Sequence, residues 1–174
     1  MELLELMKRR RSVRTYTGEA VPAEYKEKIL QAGLLSASGR AVRPWEFILV
    51  CDKEMLTKMA SARAAGAKML EGADCAVVVI GDEEKTDVWT EDCSIAMTNM
   101  HLMADSLGVG SCWIQGRLRE ASDGRTTEAY VRELLGYPEN YRLEAILSLG
   151  MPKDHPKPHT LEELPTGKIH LEHF

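Results

Sequence analysis

The segment TEDCSIAMTNMHLMADSLG, Thr90 to Gly108, constrains this chain more than any other. Cys93, Ala96, Met100, Met103 and Leu107 recur at steps of three and four, the period of a helix with one apolar seam. Ile95, Leu102 and Ala104 add apolar surface beside that seam. A helix apolar on several sides cannot leave most of its circumference in water. It is expected at the buried centre of the molecule or of a dimer.

The other elements must pack around it. Residues 2–10 predict a short amphipathic helix through Leu3, Leu4, Leu6 and Met7, ending in cations that suit its negative end. VPAEYKEKILQAGLLSA predicts a second helix, with Pro22 in the first turn, Tyr25, Ile29, Ala32 and Leu35 on one face, and Gly39 as its stop. WEFILVC is a strand, and DKEMLTKMASARAAGAKML is mostly helix opened by Asp52. DCAVVVIGD is almost wholly apolar, the pattern of a strand covered on both faces. GSCWIQG is a strand or extended loop, a helix spans about 126–135, and LEAILSLGMP is an apolar strand. The last stretch, from Pro152 to Phe174, has no helical period and reads as an extended arm. Helices and strands mingle around one central helix, so residues 1–174 are expected to form a single α+β domain.

Composition narrows the function classes. Net charge is −5, which disfavours a nucleic-acid binder. No apolar run is long enough for a membrane span, and the first residues lack the apolar core of a signal peptide. Cys51, Cys75, Cys93 and Cys112 form no CxxC pair, so reduced thiols in a cytoplasmic protein are expected. There is no GxxxxGK[ST] loop and no GxSxG elbow, and GVGSCW follows a helix and lacks the third glycine of a dinucleotide fingerprint. The prolines of HPKPH forbid the helix that would join His155 and His159 on one metal, and no metal site is expected. His101 reads as a core or interface residue. No nucleophile with its base is visible, so any reactivity would come from a cofactor.

Against that acidic background, KRRRSVRTY (Lys8 to Tyr16) is strongly basic. Arg10, Arg11, Ser12 and Arg14 offer guanidinium forks and a hydroxyl at a helix exit, which suits a phosphate monoester. A solvated helix end is the competing reading.

RRSVRTY, SGRAVRPWEFILV, GVGSCWIQG, LSLGMP and a terminal KIH occur in this order, and together the chain resembles the FMN-dependent nitroreductase family over essentially its whole length. The resemblance implies a three-layer α+β fold, a central mixed, mainly antiparallel sheet flanked by helices, in an intertwined homodimer. It implies that residues 152–174 pack on the partner subunit. It further implies FMN gripped through phosphate and ribityl chain by Arg10, Arg11, Ser12 and Arg14 with Lys168 and His170. Ser38 and Gly39 would reach the flavin from the other subunit, a backbone N–H near Gln115 or Gly116 would meet N5, and Lys68 would approach the pyrimidine edge. The family loop commonly reads Ser-Gly-Arg-Asn-x-Gln-Pro-Trp; here Ala41 and Arg43 replace the Asn and Gln. Arg43 then either adds a cation near the flavin or turns outward into a salt bridge. Trp89 and Trp113 are each pocket walls or core.

The activity implied is hydride transfer from NADH or NADPH to a small acceptor such as a nitroaromatic or quinone, by a ping-pong course without a protein acid or base. Alternatives are another flavin enzyme on the same scaffold, a reductive dehalogenase or natural-product dehydrogenase, or a non-catalytic flavin-binding or redox-sensing module.

Overall fold

The computed structural model describes residues 2–174. In chain order the elements are α1 (Leu3–Arg9), α2 (Ala23–Leu34), β1 (Trp45–Val50), α3 (Lys53–Met59), β2 (Cys75–Asp82), α4 (Trp89–Ser106), β3 (Gly110–Gln115), α5 (Thr127–Leu135) and β4 (Tyr141–Gly150). The sheet order is β1-β2-β4-β3, and every pairing is antiparallel. The mainly antiparallel sheet expected is therefore antiparallel throughout within one chain.

Burial explains the layers. All eight residues of β2 are buried, as its unbroken apolar run requires of a strand with cover on both faces. On one face Cys75, Val77, Val79, Ala145, Leu147 and Leu149 meet α2 and α4 through Ile29, Cys93, Ala96, Met97, Met100 and Ala104. On the other, Ala76, Val78, Ile80, Leu143 and Ile146 meet α3 and α5 through Leu56, Met59 and Val131. The result is helix, sheet and helix in three layers, with a bulge between Val79 and Ile80 where β2 meets β4.

Local signals set the ends. The Asp52 carboxylate accepts the N–H of Met55 at 2.7 Å and caps α3, and Thr126 accepts that of Ala129 at 3.1 Å and caps α5. Gly136 closes α5 at φ 72°, a left-handed conformation that costs a residue without Cβ little.

Three expectations need correction. Helix α2 ends at Leu34, before Gly39, and Leu35 is 85% exposed; Gly33 takes the buried place. The helix after Asp52 stops at Met59 and continues only as 3-10 turns at Ala60–Ala62 and Lys68–Gly72; between them the chain is extended at Arg63 and turns at Gly66, φ 97°. Helix α4 buries one side on the sheet of its own chain, and its outer side, with Ile95 42% exposed and Leu102 half-buried, is the side left for a dimer partner in the expectation above. Its Met97 belongs to the seam and Met103 lies at its margin.

Residues 152–160 lie on their own chain. Pro152 bridges Tyr16, the Lys153 N–H donates to Thr15 at 3.0 Å, and the His159 N–H donates to Lys8 at 3.0 Å. Beyond Thr160 every residue is exposed, including Ile169 at 71% and Leu171 at 87%. No described helix is long and apolar enough to cross a membrane.

Candidate active site

Strand β3 is an open edge of the sheet, and hydrogen bonding shows which backbone groups it leaves outward. The Gly116 N–H donates inward to the Glu144 carbonyl at 3.1 Å, while the Ser111 carbonyl accepts outward from the Val13 N–H at 2.9 Å. Alternation along an antiparallel strand then directs the backbone groups of Ser111, Trp113 and Gln115 away from β4. Of the two candidate donors, Gln115 therefore carries the outward N–H, and Gly116 is committed to the sheet. Gly116 has no room for a side chain: a Cβ there would lie 2.6 Å from Leu143 Cδ2.

The basic segment wraps this edge. Arg10 closes α1, and its guanidinium lies 2.9 Å from Nε2 of His101 on α4. Nδ1 of His101 lies 2.6 Å from the Ser111 hydroxyl on β3. Arg10, Ser12, His101, Met7, Thr98, Leu102 and Trp113 line a cleft of about 470 Å³, within the ordinary range for small-molecule sites. Ser12 and Arg14 face the buried thiol of Cys112; burial raises that thiol's pKa, and the two polar neighbours oppose the rise. Arg14 is exposed and makes no ion pair among the described residues.

Neighbouring cations have other partners. Arg9 pairs with the buried Asp105 at 2.8 Å, and His155 reaches the same carboxylate at 3.1 Å. Arg11 donates to the Lys157 carbonyl, tying the start of the arm to the basic segment.

The second group of expected residues is elsewhere. Ser38, Gly39 and Arg43 precede β1, at the opposite edge of the sheet from β3. Three inter-strand spacings separate the edges, about 14 Å. Arg40, Ala41 and Arg43 all have positive φ, 51°, 57° and 52°. Such conformations are strained for residues with a Cβ and persist only where the surroundings impose them. Here Ser38 accepts the Arg43 N–H at 3.0 Å, and Asp92 of α4 accepts the Gly39 N–H at 2.8 Å. Arg43 is exposed and forms no ion pair among the described residues, so the salt bridge weighed for it is not formed.

The structure does not bring Lys68, Lys168 or His170 to Arg10. Lys68 is exposed in a turn whose neighbours Ala67 and Leu70 pack on the α3 and α5 face, whereas His101 lies on the α4 face. Lys168 and His170 are exposed in the arm, where His170 stacks on Phe174 with ring centroids 4.3 Å apart. Trp89 packs beside Gly81, with the Arg117 guanidinium 5.9 Å from its ring. Trp113 donates its indole N–H to the Gln115 side chain at 2.8 Å.

Two acidic residues that the sequence reading passed over stand close to these elements. Asp92 and Glu144 are each 3% exposed, and each has one carboxylate oxygen without a partner. Glu144 accepts from the Ser94 hydroxyl at 3.1 Å, and burial raises its pKa. A charge inside the apolar run LEAILSLG was the available signal for Glu144.

The family model described as the nitroreductase family matches residues 7–68 and 59–151. The chain belongs to the nitroreductase family. A family member from Archaeoglobus fulgidus, whose name pairs NADH dehydrogenase with NAD(P)H nitroreductase, is 41% identical over 88% of this chain and 87% of its own. Among solved nitroreductase-family structures, an FMN-dependent nitroreductase from Clostridium difficile superposes with a TM-score of 0.96 at 41% identity, over 99% of this chain and 100% of that one. The NADPH:FMN oxidoreductase of Vibrio harveyi, solved with NAD+, gives 0.83 at 27% identity, covering 98% of this chain and 77% of that one.

Proposed function

We propose that the protein is an FMN-dependent oxidoreductase that takes hydride from NADH or NADPH and reduces small acceptors such as nitroaromatics or quinones. The observation that carries this reading is the β3 edge. There the outward N–H of Gln115 shares one strand with the cleft of Arg10 and Ser12, while Arg14 remains without an ion-pair partner. A phosphate needs guanidinium and hydroxyl donors, and a reducible ring needs a fixed N–H at its edge. This chain supplies both along one edge of the sheet, Arg10 and Ser12 from the segment after α1 and Gln115 from β3, so its residues fit FMN.

When bound, FMN supplies the hydride chemistry through N5. The protein's part is to hold and to bias. Arg10 and Ser12 hold the phosphate, and Lys168 and His170 join them when the arm closes. Gln115 offers its N–H at the reactive edge. Arg14, with Lys68 approaching from the far face, places positive charge where a reduced ring gathers negative charge. Donor and acceptor use one pocket in turn, over the flavin held at the β3 edge.

The active unit in this reading is a homodimer. Ser38 and Gly39 lie in the loop before β1, the strand at the opposite edge of the sheet from the one that carries Gln115, so in this reading they serve the flavin held by the partner's β3 edge. Leu3, Leu4, Met7 and Ile95 are 60%, 46%, 48% and 42% exposed, and a second copy would cover them.

Flavin titration tests the reading. The protein should bind FMN at one per chain and riboflavin far more weakly, with Arg10→Ala removing most of that preference. A charge-assisted hydrogen bond is worth roughly 1.5–3 kcal/mol. Equal affinity for the two flavins in the unaltered protein would overturn the phosphate assignment.

A further inference from the structure

We propose that His101 is a positioning residue that aims Arg10 at the flavin phosphate, through the chain Ser111–His101–Arg10. The inference rests on the function proposed above and adds a residue that the basic motif does not contain.

The geometry fixes each proton. Arg10 can only donate, so at 2.9 Å Nε2 of His101 must be the acceptor. A ring that accepts at Nε2 is neutral and carries its proton on Nδ1. That N–H donates to the Ser111 hydroxyl at 2.6 Å. The ring is 7% exposed, and Ser111 is 1% exposed on a strand of the sheet. Burial, and next the Arg10 charge, push the His101 pKa down to about 4, against an opposing pull from Asp105. The imidazole is thus an uncharged acceptor at neutral pH.

The consequence concerns the arginine. Its long side chain leaves α1 at the helix end and would otherwise sample many rotamers. Ordering such a chain at the moment of binding costs affinity. His101 orders it beforehand while using one of five N–H donors, which leaves the others for phosphate oxygens. Arg10, Ser12 and His101 line the same cleft, so the pinned guanidinium and the Ser12 hydroxyl open on one cavity.

The test is the ratio of FMN to riboflavin affinity, read by flavin fluorescence quenching for the full-length protein and its variants. His101→Leu should reduce the ratio at least threefold with riboflavin affinity unchanged, which also reports an intact fold. His101→Gln, whose amide oxygen can accept from Arg10, should restore the ratio to within twofold of the unaltered protein. Arg10→Ala combined with His101→Leu should lose no more than Arg10→Ala alone. Equal loss of both flavins in His101→Leu would mean a structural role and overturn the inference. So would an unchanged ratio in His101→Leu where Arg10→Ala loses it. An unchanged ratio in Arg10→Ala would overturn the phosphate reading itself, and this inference with it.

Discussion

Asp92 accepts the backbone N–H of Gly39 at 2.8 Å and thereby anchors a loop that could not hold its own shape. Three residues of that loop with side chains, Arg40, Ala41 and Arg43, have positive φ, at a cost of about 1 kcal/mol or more each. The other Asp92 oxygen is buried without a partner. Asp92→Ala should therefore change stability little, because relief of that oxygen offsets the lost bond. FMN affinity should fall at least fivefold, since in the proposed dimer the loop serves the partner's flavin. Thermal melts and flavin titration of the same samples check both halves.

Glu144 predicts a pH dependence. Its pKa is raised in the folded protein, with burial the largest cause. The stability associated with its protonated form is fully present below the unfolded pKa, near 4.3, and is lost as pH rises through the folded value. Glu144→Gln removes the charge and keeps an acceptor for Ser94. It should leave stability unchanged near pH 4 and raise it by about 1–2 kcal/mol at pH 8, where a buried charged oxygen lacks a partner. Urea unfolding at the two pH values measures the difference. A variant less stable than the parent at pH 8 would show that the carboxylate has a partner in the assembled protein.

The arm should matter for assembly. Residues 161–174 are exposed throughout and carry Ile169, Leu171 and Phe174 into water. Deleting them should weaken the proposed dimer and lower FMN affinity, since Lys168 and His170, proposed to hold the phosphate, go with them. Sedimentation with flavin absorbance reads both at once. An unaltered dimer with full flavin would place the arm outside the interface and the site.

Much of the layered fold was legible because periodicity and burial are local in sequence. The apolar run of β2 and the seam of α4 each declare which faces are covered, and Asp52 declares the start of α3. The RRSVRTY motif pointed to a phosphate, and the fold lays that segment along the β3 edge. What was not legible depends on pairing across the chain. Whether Gln115 or Gly116 offers its N–H outward is settled by the register with β4. The role of His101 exists only because α1 and β3 meet α4 at the same turn. Leu35 fitted the helical period of α2, but the helix ended one residue earlier and turned it to solvent. The separation of Ser38 from Gln115 follows from strand order, which no local pattern encodes.

In the proposed dimer each flavin site is built from the β3 edge of one chain and the loop before β1 of another. Subunit complementation tests it most directly. Arg10→Ala/Arg14→Ala cripples the edge, and Ser38→Trp obstructs the loop, so each homodimer should bind FMN at least tenfold more weakly than the unaltered protein. Co-expressed with different tags and purified through both, the mixed dimer carries one intact edge facing one intact loop. It should bind one FMN per dimer with nearly the parent affinity. A mixed dimer as empty as either homodimer would mean that a single chain builds its whole site, and would contradict the account.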